Sequence, residues 1–279
     1  MTGVIDVGGG MRGIYGAGVF DYCMDHGISF DTCIGVSAGG ANVLSYAAGQ
    51  RGRNYTYYME YAFRADYMGM GNFLKNGSFI NLDYIYGTLS NSDGEYPLDY
   101  PAIIRSRKKI RIVATDALTG RARYFGLKDF KQDMYDPVKA SSCVPVVNKP
   151  YVIDGIPYYD GGISDPIPVN QAFRLGCDKV VAVLTRPVDS YRKSDTDRRM
   201  AALLRRRFPA AAYRLANRAS VYNTELDLIK KYEKHGHVLI VAPQSIQGMK
   251  TLKKDRGAME FMYQEGYHDA QAIAEFCRA

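Results

Sequence analysis

Short β-prone apolar runs alternate along this chain with stretches whose apolar residues recur at helical spacing. Residues 2–7 form the first such run and predict a strand. Gly8-Gly9-Gly10-Met11-Arg12-Gly13 interrupts it. Residues 14–26 then place Tyr15, Val19, Tyr22 and Cys23 on one helical face, and Gly27 stops the helix. Residues 30–36 predict a second strand. Residues 38–48 predict a second helix, with Val43, Leu44 and Tyr46 at helical spacing. A strand, glycine loop, helix, strand and helix in this order imply parallel strands in an α/β sheet covered by helices on both faces.

The same reading continues downstream. Residues 50–66 are polar and tyrosine-rich and predict a loop and a helix. Residues 67–100 are irregular and suit a segment that caps or lines a site. Residues 110–115 predict a buried strand, with a hairpin partner at 121–125 across Thr119-Gly120. Residues 127–141 are expected to be helical, and Pro145 and Pro150 mark a loop. A short strand at 156–159 ends in Asp160-Gly161-Gly162. A helix at 168–175 and a buried strand at 179–184 follow. Residues 196–234 read as helical with an interruption at Pro209, residues 238–242 as a last strand, and residues 256–277 as one closing helix.

Composition narrows the class. An apolar content of 47% suits a globular chain with a sizeable core. Cys23, Cys33, Cys143, Cys177 and Cys277 make an odd number without a C-x-x-C pair, which argues against a disulfide framework or a zinc site and fits a reducing, cytoplasmic compartment. The histidines are not clustered, so no metal and no cofactor is expected. No basic n-region precedes an apolar stretch at the N-terminus, and no apolar run reaches the length of a membrane span. The net charge of +7 is uneven: residues 186–237 carry thirteen Lys and Arg against six Asp and Glu, an excess equal to that of the whole chain. Such a segment suits either an anionic partner, such as a membrane surface, or a solvated helix face. Within it, Arg198 aligns with Arg205 and Arg199 with Arg206 on a helix, while Leu203 and Leu204 are placed to face the core.

Three stretches can carry chemistry. Gly35-Val36-Ser37-Ala38-Gly39 fits a nucleophile elbow, in which a serine sits on a strained strand-to-helix turn; Gly35 and Gly39 leave room for the two elements to approach. The glycine loop can present successive backbone N–H groups to a developing oxyanion. Asp160, at a strand end, can act as base for a serine within reach. The glycine loop also matches a dinucleotide fingerprint, Gly8-x-Gly10-x-x-Gly13, with Asp31 near the distance of a ribose contact. That acid belongs at the end of the second strand, however, and Asp31 falls near its start.

Together these stretches resemble the patatin-like phospholipase family. Gly8-Gly9-Gly10-Met11-Arg12-Gly13 is similar to its oxyanion loop, Gly35-x-Ser37-x-Gly39 to its elbow, and Asp160-Gly161-Gly162 to its acid motif. Ser141-Ser142-Cys143-Val144-Pro145 is similar to its serine-rich segment ending in proline. The resemblance covers residues 2–185; beyond it the chain resembles the C-terminal extension of bacterial family members. One departure is visible: the family's acid directly precedes the glycines, whereas here Val7 does and Asp6 stands one position earlier.

The resemblance implies a three-layer fold with a catalytic core at 1–185 and a basic, mainly helical extension at 186–279 packed on it. It implies a serine acyl hydrolase of lipid esters, phospholipids or lysophospholipids, working through a Ser37–Asp160 dyad with the oxyanion held by the loop. The expected partners are the lipid substrate and, peripherally, an anionic membrane, with no nucleic acid. Arg12 is open to three roles: steadying the loop, meeting a phosphate, or forming an ion pair. A Ser-Asp-His triad would need His235, His237 or His268.

Overall fold

The computed structural model describes residues 1–278; Ala279, the last residue of the expected extension, lies outside the described residues. Eight strands form one sheet: β1 Thr2–Asp6, β2 Thr32–Val36, β3 Lys109–Asp116, β4 Ala122–Phe125, β5 Tyr151–Ile153, β6 Ile156–Asp160, β7 Lys179–Val183 and β8 Val238–Val241. Among the described residues eleven α-helices surround it: α1 Ile14–Asp25, α2 Ala38–Ala47, α3 Arg53–Met59, α4 Met70–Asn76, α5 Tyr100–Arg105, α6 Asp136–Ser141, α7 Val169–Arg174, α8 Asp195–Leu204, α9 Pro209–Lys234, α10 Arg256–Asp269 and α11 Gln271–Arg278.

The strand order is β5-β6-β3-β2-β1-β7-β8, with β4 paired to β3. The five consecutive strands β3, β2, β1, β7 and β8 are parallel. Alternation along them serves two cores. Val4, Cys33, Val181 and Val183 pack with α1, α2 and α10 on one face. Ile5, Ile34, Val36, Val180 and Ala182 pack with α7 and α9 on the other. Both faces are therefore covered, as the continuous apolar runs require. A third cluster joins α8 and the start of α9 to Cys143, Tyr159 and Ile163 beside the acid motif.

The register places the site. β2 runs parallel to β3 and its last residue, Val36, lies opposite Val113. One position further, Ala114 of β3 faces Asp160 of the antiparallel β6. β4 occupies the other edge of β3 over Ile112 to Thr115, so β2 and β6 share one edge and meet end to end. Ser37 and Asp160 are the residues at which the two strands converge. Gly161 turns the chain away at this junction; a Cβ there would stand 2.1 Å from the Val113 carbonyl oxygen, so only glycine fits.

Several expectations need correction. Residues 127–141 are not one helix: a 3-10 turn covers Leu127–Asp129 and α6 begins only at Asp136. Asp133 takes a left-handed conformation (φ 62°), which a helix cannot contain, and Pro137 suits only a first turn. The closing helix is divided at Ala270 into α10 and α11. Leu204 is buried as expected, but Leu203 is 71% exposed. β5 was not expected; it forms a hairpin with β6 around Asp154-Gly155, both with positive φ, the signature of a type I′ turn. The strand expected at 238–242 is present as β8, and it extends the parallel sheet.

Candidate active site

Ser37 stands between β2 and α2 with φ 56° and ψ −132°, a backbone conformation that L-residues adopt only under constraint. The constraint is visible. The Ser37 N–H donates to Ser141 Oγ (2.8 Å), and the Ser141 hydroxyl donates to the Val113 carbonyl (2.6 Å), which ties the elbow to β3. A Cβ on Gly35 would meet Gly40 Cα at 2.5 Å, and one on Gly39 would meet the Asp6 carbonyl oxygen at 2.2 Å, so the close strand–helix approach needs both glycines.

The loop after β1 has three successive residues with positive φ: Gly8 at 62°, Gly9 at 131° and Gly10 at 60°. Its N–H groups divide into two sets. Gly8 N–H donates to Asp6 Oδ1 (2.8 Å) and Met11 N–H to the Thr251 carbonyl (2.8 Å). Gly9 and Gly10 N–H have no partner among the described residues. Asp6 therefore holds the loop despite standing one residue earlier than in the resembling family. It is fully buried and also accepts from Asn42 Nδ2 (2.7 Å); burial pushes its carboxyl up to about 6. Thr185, after β7, donates to the Gly8 carbonyl. Met11, Arg12 and Gly13 form a buried 3-10 turn that carries the loop into α1.

Asp160 accepts from the Gly162 N–H (2.8 Å) and is only 7% exposed. Its backbone is fixed by the Asp160 N–H donating to the Cys143 carbonyl (2.8 Å) and by the Thr115 hydroxyl donating to the Asp160 carbonyl (2.8 Å). Burial raises the pKa of its carboxyl; the Ser37 hydroxyl, the Gly162 N–H and the cations of Arg218 and Arg192 pull it back. Two cavities open on Ser37. One is apolar, with Met11, Tyr58, Met68, Ile85, Tyr86 and Leu252 in its wall. The other contains Gly8, Gly9 and Asp160 and is lined by Arg12, Arg186, Arg192 and Arg218. From the segment 67–100, Tyr67, Met68, Ile80, Leu82, Ile85 and Tyr86 line the apolar cavity.

The two alternatives expected from sequence lack the geometry. Asp31 precedes β2 and accepts from the Thr2 N–H, at the end of the strands opposite the glycine loop. None of the histidines lines either cavity. His235 follows α9, His237 precedes β8 at the end remote from Ser37, and His268 is an exposed residue of α10. Sequence reasoning had no signal for Asn42, Thr185 or Thr251, whose roles depend on contacts between distant segments. Ser141 lies in the serine-rich segment that it did single out.

The fold and the site define a three-layer α/β protein with a serine elbow and a glycine loop around one junction. Residues 7–173, more than half of the chain, match the family model described as patatin-like phospholipase; the chain belongs to that family. Residues 208–277 match a second family, described as a domain of unknown function (DUF6363). The uncharacterized protein YjjU of Escherichia coli strain K12 is 33% identical over 189 residues, covering 66% of this chain and 52% of that protein. The chain thus spans about half the length of the curated relative it matches. The crystal structure of VipD from Legionella pneumophila superposes with a TM-score of 0.49 at 12% identity, covering 98% of this chain and 66% of that one.

Proposed function

We propose that this member of the patatin-like phospholipase family is a serine acyl hydrolase of lipid esters in which Ser37 and Asp160 act as a dyad. The observation that carries the reading is the shared edge of β3, which brings Ser37, a residue of the apolar cavity, to the buried carboxylate of Asp160. In the acylation step Ser37 Oγ attacks the ester carbonyl carbon and Asp160 takes its proton. The oxyanion is placed to accept from the N–H groups of Gly9 and Gly10, whose left-handed backbones leave them without protein acceptors. As the tetrahedral species collapses, the leaving alcohol takes the proton from Asp160. Water, deprotonated by the same carboxylate, then hydrolyses the acyl-Ser37 ester. The apolar cavity suits the acyl chain.

Contact with a lipid surface belongs to the same reading. Among the described residues no helix is long and apolar enough to cross a membrane. Yet α4 has no buried residue and exposes Met70, Phe73 and Leu74. It lies between Met68 and Ile80, which pair with each other and line the apolar cavity.

The test is labelling and turnover. A fluorophosphonate should label the parent protein at Ser37 and leave Ser37→Ala unlabelled. Ser37→Ala and Asp160→Asn should each lose several orders of magnitude in kcat on a p-nitrophenyl ester with unchanged Tm. Activity of Ser37→Ala within tenfold of the parent, or equal loss in a histidine variant of normal Tm, would overturn the dyad.

A further inference from the structure

We propose that the second cavity at Ser37 is a phosphate subsite, formed by Arg12, Arg186, Arg192 and Arg218, that selects single-chain acyl esters carrying a phosphomonoester headgroup. The inference rests on the hydrolase reading for what happens at Ser37, but the anion site stands on its own geometry.

The four guanidinium groups come from separate parts of the chain. Arg12 is in the turn after the glycine loop, Arg186 follows β7, Arg192 is in the segment before α8, and Arg218 is on α9. Three of them lie beyond residue 173, outside the stretch matched by the phospholipase family. Arg218 is satisfied, because Asp197 accepts from both its Nε (2.9 Å) and its Nη2. The other three have no carboxylate partner among the described residues. Arg12 is only 3% exposed, yet its Nε and Nη1 have no hydrogen-bond partner, and neither does the buried Nε of Arg186. Arg192 lies over the ring of Tyr222, 5.2 Å from its centroid. Burial, and then the neighbouring cations Arg186 and Arg218, lower the Arg12 pKa to about 10; burial, and then Arg218 and Arg186, lower that of Arg192 to about 9.

Buried guanidinium N–H groups without an acceptor are costly, and the two of Arg12 with the one of Arg186 at one cavity are costlier still, unless an anion joins them. Asp160 lines the same cavity and feels the charges of Arg218 and Arg192, but its carboxylate is held by the Ser37 hydroxyl and the Gly162 N–H and, among the described residues, forms no ion pair with an arginine. Planar donors in a fork suit a tetrahedral oxyanion. A phosphomonoester brings a charge of about −1.5 to −2 at neutral pH, more than a diester or a carboxylate, and so offsets most of the unpaired charge. The cavity walls include Gly9 and Ser37, so a phosphate held there lies close to the scissile ester of a short glycerol backbone, with the acyl chain in the apolar cavity. The cationic surface continues outward along Lys193 and Lys250.

The full-length protein should be assayed on three esters of one acyl chain below their micellar concentrations: 1-acylglycerol 3-phosphate, 1-acylglycerol and 1-acylglycerophosphocholine. The phosphomonoester should have the highest kcat/KM, by at least about tenfold over the acylglycerol. In Arg186→Gln and Arg192→Gln that ratio should fall toward one, mainly through KM. Glycerol 3-phosphate should raise the parent Tm more than inorganic phosphate does, and less in both variants. Equal kcat/KM for the three esters would overturn the proposal while leaving the hydrolase reading intact. Binding of both free phosphates with no preference among the esters would make the site one for free phosphate and overturn the headgroup assignment. Arginine-dependent binding of glycerol 3-phosphate without hydrolysis of any ester would uphold the anion site and sink the hydrolase reading.

Discussion

At the scale of single residues, the base and the loop make separate predictions. Asp160 must be ionised to accept the serine proton, so kcat/KM should rise with pH through its pKa. Burial places that limb above the ordinary aspartate value, and Arg218 and Arg192 hold it down. The acidic limb measured on a p-nitrophenyl ester should therefore lie above the ordinary value and move to higher pH in Arg192→Gln. A limb that stays in place in that variant would show that the cation does not act on the carboxyl. Gly8 is tightly constrained: with φ 62°, a Cβ would stand 2.3 Å from the Val36 carbonyl oxygen. Gly8→Ala should cost at least about 1–2 kcal/mol in urea unfolding and lower kcat by displacing the loop. Parent-like stability and turnover would mean that the loop can shift without consequence.

At the scale of elements, α9 is joined to the segment after the acid motif by a half-buried carboxyl pair, Glu225 and Asp165. Glu225 of α9 accepts from the Ile167 N–H (2.7 Å) beside Asp165, five residues past Asp160, and Asp165 accepts from the Tyr124 hydroxyl. Burial, and then the charge of Asp165, push the Glu225 carboxyl up to about 9. The folded protein thus keeps a proton that the unfolded chain releases above its ordinary glutamate pKa of 4.5. Stability from this group is full below 4.5 and is lost as the pH rises toward about 9. Urea unfolding across that window should show a falling stability in the parent and a flatter profile in Glu225→Gln, whose amide oxygen can still accept from Ile167. Equal slopes in the two proteins would assign the pH dependence to other groups.

At the scale of the whole molecule, apolar and cationic exposure both bear on lipid access. Leu74 is 81% and Met70 60% exposed on α4, while Arg198, Arg199, Arg205, Arg206 and Arg207 are exposed on and after α8. Each engaged cation contributes about 1 kcal/mol at an anionic surface. The protein should float with vesicles containing acidic lipid, less so at high salt, and bind neutral vesicles weakly. Leu74→Asp should reduce the salt-resistant part. Equal binding to acidic and neutral vesicles, or none to either, would leave both surfaces as scaffold.

The local parts of this protein were legible in its sequence. Apolar runs marked the parallel strands because strands buried on both faces carry few polar residues, and the glycine loop, elbow and acid motif declared themselves because strained turns admit few residue types. Even the missed hairpin of β5 and β6 had its signal in Asp154-Gly155. What sequence spacing could not give was which ends meet. Ser37 and Asp160 are 123 positions apart, and only the pairing of β2 and β6 along one edge of β3 brings them together. The basic segment shows the same division. Its composition fixed the charge, but a run of arginines does not state which side chains turn inward. Packing of α9 against the sheet and the path of the chain after β7 decided that Arg186, Arg192 and Arg218 join Arg12 at the cavity, while their neighbours on α8 face solvent. Local chemistry is set by residue type; the direction of a side chain is set by what packs behind it.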